Sequence, residues 1–530
     1  MAAPADRTPA PAVPHVDTLV VGAGLSGIGM ACQLGRTLPG HSYLVLEGRE
    51  ASGGTWDLFR YPGVRSDSDL HTLGYAFKPW TKDRAIADGA DILGYIREAA
   101  RENGVDPHIR YGHRVVRAEW SSEDVRWTVH AVRTDTGEPV RFTSRFLFSA
   151  TGYYRYDEGH TPPFPGTDRY RGALVHPQHW PRELDHTHKR VVVIGSGATA
   201  VTLVPALARR AAHVTLLQRS PTYVLPLPSR DPVADVLRRT LGERAGYALT
   251  RRKNVALQTF LYRTSRRHPA FVRTAIRLLQ RRMLPRGFAL DPHFRPSSDP
   301  WDQRLCVVPD GDLFRALSSG RASVVTDQVD TFTPYGVALR SGGRIDADVV
   351  VTATGLDLLA FGGIELAVDG REIDVTKATA YKGMLLSGVP NFAFALGYTT
   401  ISWTLRVGLV GEHYRRLLAH MAARGHTAFE VDPPAAGEPD RPLFDFAAGY
   451  ARRAAGLFPR QGTSRPWRMN VAYRDDERLL RHDPVADAPL RFTSRPAARP
   501  APDGTARQPG GAVRRTGRGT RGGAAVPPGA

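Results

Sequence analysis

The feature that most constrains this chain is a pair of glycine-rich turns, each set between an apolar strand and a helix. The first strand, His15 to Val21, runs into Gly22-Ala23-Gly24-Leu25-Ser26-Gly27, and a helical stretch through Ile28, Met30, Ala31 and Leu34 follows. Tyr43-Leu44-Val45-Leu46 then forms a second strand that closes on Glu47. The other unit starts at Arg190 with Val191-Val192-Val193-Ile194 and turns through Gly195-Ser196-Gly197-Ala198-Thr199-Ala200. Its second strand, His213 to Leu217, ends in Gln218-Arg219-Ser220 with no acid. Two βαβ units of this kind predict an α/β fold with two Rossmann-like dinucleotide-binding domains.

The glycines have separable physical jobs. Gly22 allows the tight turn, Gly24 lets backbone approach a pyrophosphate, and Gly27 lets helix and strand pack closely. The helix N-terminus, where Ser26 sits, offers free N–H donors and partial positive charge to phosphate. Glu47 accepts hydrogen bonds from a ribose diol and repels a 2′-phosphate, which reads as FAD or NAD. Arg219 and Ser220 stand where an acid would exclude a 2′-phosphate, and a guanidinium binds that group with two hydrogen bonds. NADPH is therefore expected at Gly195, Ser196, Gly197, Ala198, Thr199, Ala200, Arg219 and Ser220. The bland alternatives are structural glycine turns and one more surface arginine in a chain with 65 Arg and 6 Lys. A flavin site and a nicotinamide site in one chain imply hydride transfer between them.

Five hundred and thirty residues exceed what one core supports. Residues 1–14 read as a disordered tail, 15–160 as the first part of the FAD-binding domain and 161–230 as the first part of the NADPH-binding domain. Residues 231–300 read as a basic helical insertion and 301–360 as the resumed NADPH-binding domain. The FAD-binding domain returns over 361–495, and 496–530 is an Arg/Gly/Pro tail expected to be disordered. Net charge is +19. Residues 237–286 carry 14 basic residues against Glu243, and the tail carries six Arg against Asp503, so the body is nearly neutral. Only Cys32 and Cys306 occur, which excludes a disulfide framework and zinc clusters and fits a reducing cytoplasm. No metal site is expected. No stretch reaches the roughly 18 apolar residues of a membrane span.

Two longer stretches carry a family resemblance. Gly53-Gly54-Thr55-Trp56 followed by Tyr61-Pro62-Gly63 and Asp67, and Tyr170-x-Gly172-xxx-His176-xxx-Trp180-Pro181, resemble signatures of the flavin-dependent Baeyer–Villiger monooxygenases. Trp301-Asp302-Gln303-Arg304-Leu305-Cys306 and Ala380-Tyr381-Lys382-Gly383-Met384 resemble the bacterial subgroup that includes the ethionamide-activating monooxygenase. The resemblance spans about Val16 to Arg495. It implies that NADPH reduces FAD, that reduced flavin captures O2 as a peroxyflavin, and that one oxygen atom enters a ketone to give an ester or lactone. Sulfides or thioamides would be oxidised at sulfur.

On the same resemblance Arg304 is the active-site cation, Asp67 the acid that orients it, and Thr55, Trp56, Asp57 and Val115 contact flavin. Arg65 and Ser66 would touch the nicotinamide half of NADPH, and His176 with Trp180 would couple the domains. Ala150-Thr151-Gly152 and Ala353-Thr354-Gly355 look like the ends of strands that cross between domains. Gln303 replaces a Lys common in relatives, which leaves Arg219 with more of the NADPH discrimination. Cys306 could line the flavin pocket.

The rival enzymes are a flavin-containing monooxygenase that oxygenates only nitrogen or sulfur, and an oxidase that releases peroxide. A rival of another class is a non-catalytic lipid-binding protein that keeps the flavin fold. Val272, Ile276, Leu279 and Met283 recur at helical spacing in the basic insertion. Such a stripe faces the protein's own core or dips into an anionic membrane surface, so a cytoplasmic enzyme peripheral to the inner face of the cell membrane is the second localisation. The tail lacks aromatics for base stacking, and nucleic acid is not an expected partner. The sequence leaves substrate identity and oligomeric state open.

Overall fold

The structure is a computed structural model that describes residues 13–302, 305–435, 438, 440–444, 449–470 and 472–494. Two sheets organise it, and both glycine turns lie at the carboxyl ends of parallel strands. In the first sheet His15–Val21 sits between Tyr43–Leu46 and Pro139–Ser149, in parallel register Thr18↔Tyr43 and Thr18↔Phe146. Continuous apolar runs such as Leu19-Val20-Val21 are fully or nearly buried, as strands covered on both faces must be. An antiparallel wing, His113–Ser121 with Arg126–Arg133 and Pro139–Ser149, extends this sheet.

The second sheet is all parallel and runs Ala322–Thr326, His213–Gln218, Arg190–Ile194, Val349–Thr352, Ala173–Val175. Each sheet has its own core: Ile28, Leu34 and Val410 belong to one, Val193, Leu203 and Phe314 to another. The fold is mixed α/β, as the twin turns require. The chain passes between the sheets twice, at Tyr154–Gly159 and Leu356–Leu358, and these two segments pair antiparallel into a ribbon. After the second crossing Glu365–Val368 rejoins the first sheet beside His113–Ser121, and Phe392–Phe394 pairs with Pro139–Ser149. The helix Trp403–Arg424 then buries its apolar face against Leu25–Thr37.

The insertion is helical, over Pro232–Arg267 with a break at Gly242 (φ 76°, ψ 172°), then over Pro269–Met283. It packs on both halves. Asn254 and Gln258 donate to the Asp69 carboxylate at 2.9 and 2.7 Å, and Gln280 donates to Val224 O at 2.9 Å. The Val272/Ile276/Leu279/Met283 stripe divides. Ile276 is buried with Tyr223 and Leu305, and Val272 packs beside it. A Cβ on Gly311 would lie 2.5 Å from Met283 Sδ, so this end of the stripe abuts the body too. Leu279 and Met283 nevertheless stay 39 and 40% exposed, and the more exposed Phe271 and Leu278 lie about 100° round the helix from them.

Candidate active site

A cavity of about 510 Å³ opens where the two sheets meet. Its floor is the first glycine turn, and the geometry there is demanding. Gly22 has φ +102°, and a Cβ on it would lie 2.8 Å from Ala150 O. A Cβ on Gly27 would lie 1.8 Å from Gly22 O, so Gly27 packs beneath the turn and does not line the cavity. Across the floor Gly54, φ +55°, comes so close to Gly24 that a Cβ would lie 2.9 Å from its Cα. Three bare backbone segments thus leave a slot that only a thin ligand segment can share.

Glu47 reaches back over this slot. Its Oε2 accepts from Ala23 N at 2.7 Å and its Oε1 from Arg49 N at 2.9 Å. Each oxygen keeps a lone pair for a diol. Burial pushes this carboxyl above its ordinary range, while the two N–H groups and the Arg49 guanidinium favour the anion. Thr55, Trp56 and Val115 also line the cavity, with Thr55 Oγ1 3.2 Å from Tyr156 Oη. Trp403 Nε1 donates to Ser26 Oγ at 2.9 Å and ties the returning helix to the turn.

Asp57 is placed differently from its neighbours. Its carboxylate is buried away from the cavity and takes Arg49 at 2.5 Å, Arg60 at 2.8 Å and Arg97 at 2.9 Å. Three guanidiniums converge on it and it does not line the cavity, so in this structure Asp57 anchors the loop.

The wall toward the second sheet is made by a tongue, Phe59 to Asp67. Tyr61 is buried in the second core, its hydroxyl shares a hydrogen bond with Thr199, and burial pushes that hydroxyl up to about 12. A Cβ on Gly63 would lie 2.7 Å from Ala206 Cβ, so the tongue lies flat on the helix Ala198–Leu207. Arg65, Ser66 and Asp67 all line the cavity. Arg65 forms a two-pronged ion pair with Asp312, and Ser66 Oγ donates to Ser68 O at 2.8 Å. Arg65 therefore clasps the second half as well as facing the cavity.

Of the second glycine turn, Ala198 and Thr199 reach the same cavity, whereas Gly195, Ser196, Gly197 and Ala200 lie outside its wall. A Cβ on Gly195 would lie 2.2 Å from Ala353 O, the same closure that Gly22 makes with Ala150. Nothing lies within 4 Å of a Cβ on Gly197, so that backbone is open to a ligand. Arg219 and Ser220 follow the strand His213–Gln218 as exposed residues away from the cavity. Arg304 and Gln303 fall outside the described residues.

His176 is not poised for proton transfer. Its Nδ1 accepts from Gln178 N at 3.2 Å, which leaves Nε2 to donate to Gly355 O at 3.1 Å on the second crossing. Burial lowers its pKa. Cys306 is buried in the second core, and Val307, its neighbour, lines the cavity in its place. Tyr153, Tyr154, Tyr398, Ile401 and Leu356 line the cavity without a motif to announce them. Tyr398 donates to Asp476 at 2.6 Å, and Asp476 is buried with Arg406. Only the return of the chain to the first sheet could have pointed to that loop.

Comparison with known proteins bears on this arrangement. The pattern of one family, described as pyridine nucleotide-disulphide oxidoreductase, matches residues 19–225. The FAD-containing monooxygenase EthA of Mycobacterium tuberculosis is 49% identical over 484 residues, which is 91% of this chain and 99% of that protein. The chain belongs to the FAD-containing monooxygenases. The probable FAD-binding monooxygenase AlmA of Acinetobacter baylyi is 44% identical over 481 residues, 90% of this chain and 96% of that one. Among solved structures, a steroid monooxygenase bound to NADP superposes with TM-score 0.67 at 24% identity, covering 79% of this chain and 88% of that chain. OTEMO in complex with FAD and NADP gives 0.65 at 25% identity over 79% and 88%.

For this FAD-containing monooxygenase the disulphide chemistry in the matched pattern's description has no counterpart. Its two cysteines lie in separate cores, and burial pushes the Cys32 thiol up to about 12. What it shares with that pattern is the nucleotide-binding frame. Among the described residues no group of His, Cys, Asp or Glu is arranged to hold a metal ion, and no helix is long and apolar enough to cross a membrane.

Proposed function

We propose that this monooxygenase uses NADPH and O2 to insert one oxygen atom into a small-molecule ketone, giving an ester or lactone, and oxidises sulfides or thioamides in the same cavity. The observation that carries the reading is that one cavity is lined by Gly22 and Gly24 of the first glycine turn and by Ala198 and Thr199, where the helix after the second turn begins. The residues fit FAD: a glycine slot, a buried acid over it and an aromatic wall. Gly22, Gly24, Ser26 and Glu47 would hold its pyrophosphate and ribose, with Thr55, Trp56 and Val115 beside its ring system. Bound FAD supplies hydride acceptance and activation of dioxygen.

The chain does the rest. Ser196, Gly197 and Thr199 present N–H groups to the NADPH pyrophosphate, Gly195 makes the turn with its own N–H on Leu217 O, and Arg219 with Ser220 takes the 2′-phosphate. Arg304, three positions before the cavity-lining Val307, supplies a permanent positive charge for the anion that develops during oxygen transfer, and Asp67 orients it. Tyr153, Tyr154 and Trp403 exclude water.

The test supplies purified FAD-loaded enzyme with NADPH and isotopically labelled dioxygen, then ketones, a sulfide and a thioamide. Labelled ester from a ketone is expected. Sulfoxide without any ester would move the enzyme to the nitrogen- or sulfur-oxygenating class. NADPH consumption matched by hydrogen peroxide, with no product, would make it an oxidase.

A further inference from the structure

The helical insertion leaves a large apolar surface uncovered among the described residues. Leu249, Leu257 and Phe260 on Pro232–Arg267 are 41, 51 and 64% exposed, and Phe271 and Leu278 on Pro269–Met283 are 67 and 50% exposed. Their spacing puts Leu249 with Phe260, and Phe271 with Leu278, on one face of each helix. The other faces are committed to the body. Tyr247 donates to Tyr75 O at 3.0 Å, Val255 packs on Tyr398 and Ile401, and Ile276 packs on Tyr223 and Leu305.

Charge surrounds the bare faces. Arg238, Lys253, Arg266, Arg273 and Arg277 each pair with an acid. Arg252, Arg263, Arg267, Arg281, Arg282 and Arg286 are exposed, and none pairs with an acid among the described residues. Exposed Phe and Leu repeated on one face of each helix mark an interaction site. A second copy joined here by a two-fold axis would set the same arginines against each other. A nucleic acid would use the arginines and leave the leucines in water. An anionic bilayer satisfies both, with aromatic and aliphatic tips in the headgroup boundary and guanidiniums on lipid phosphates.

We infer that the insertion docks this enzyme on an anionic lipid surface, with Phe260 and Phe271 entering the interface. Val255 lies on the same helix as Phe260 and packs on Tyr398 and Ile401, which line the cavity. The helix that carries the docking face thus backs the loop that walls the cavity, and apolar substrates concentrate at the surface where the enzyme would lie. The inference does not depend on which atom the enzyme oxygenates, since its readout is binding.

FAD-loaded full-length protein is sedimented with vesicles of phosphatidylcholine alone or mixed with phosphatidylglycerol, at low and high salt. Binding to the mixed vesicles that salt weakens is expected, with little binding to phosphatidylcholine. Phe260→Ser/Phe271→Ser should lower partitioning about tenfold while FAD content and NADPH consumption hold. Arg281→Gln/Arg282→Gln/Arg286→Gln should release at lower salt. Three outcomes would overturn the inference: no binding to mixed vesicles at low salt, undiminished binding by the phenylalanine variant (which would assign the attraction to the Arg-rich tail), or a soluble dimer that this variant turns into monomer.

Discussion

At the scale of single residues, the proposed assignment of the two nucleotides rests on two strand ends. Glu47 and Arg219 occupy equivalent strand ends and have opposite charge, yet their settings differ. Glu47 is buried and fixed by two backbone N–H groups. Arg219 is exposed with no acid partner among the described residues, so it is free to meet a 2′-phosphate. A charge-assisted pair of that kind contributes about 1.5–3 kcal/mol, and Arg219→Ala should raise the KM for NADPH about tenfold or more while leaving that for NADH nearly unchanged. Equal changes in both would remove the assignment. The glycine turns and Glu47 were legible because backbone sterics admit few residues there. Asp57 shows the limit: the resemblance implied a flavin contact there, while the convergence of Arg49, Arg60 and Arg97 on its carboxylate comes from positions that a linear reading cannot bring together.

At the scale of elements, alternation of strand and helix gave the parallel strands of both sheets, because a βαβ crossover dictates its own geometry, and left the antiparallel wing of the first unread. The Val272/Ile276/Leu279/Met283 stripe was left open between the protein's own core and a membrane surface, and it divides, with Ile276 buried and Leu279 and Met283 partly exposed. Helical spacing identifies candidate faces, but which one meets the body is settled by distant partners such as Tyr223 and Leu305. The returning helix Trp403–Arg424 holds a different consequence. His413 is buried on it, its Nδ1–H donating to Leu480 O at 2.8 Å, and burial lowers its pKa to about 3. The unfolded chain binds this proton near pH 6.5, so its contribution to stability is whole above pH 6.5 and is lost as pH falls below it. The loss reaches about 2 kcal/mol at pH 5. His413→Gln, which keeps a donor, should shrink the drop in Tm between pH 7.5 and pH 5 by a few degrees. An unchanged drop would place the acid sensitivity in other histidines.

For the whole molecule, the two halves are joined by more than the chain. The tongue of the first half lies on the second core, and Arg65 clasps Asp312 across the junction. Removing that carboxylate leaves a half-buried guanidinium unpaired at the wall where the two nucleotides meet. Asp312→Asn should therefore slow flavin reduction and raise the KM for NADPH severalfold, with FAD content unchanged. Loss of FAD in step with activity would show that the clasp supports only the first half. None of this was legible beforehand, since Arg65 and Asp312 are 247 residues apart.

The paired crossings carry a consequence for how such a molecule can be rebuilt. Gly159 and Leu356 are register partners, so everything between them leaves and re-enters the first half through one doorway. A nicotinamide-binding half with its ends side by side is a cassette. It can be exchanged between relatives at those two positions without moving the ends of the host, and a cut in either crossing alone leaves the other strand of the ribbon to hold the halves in place.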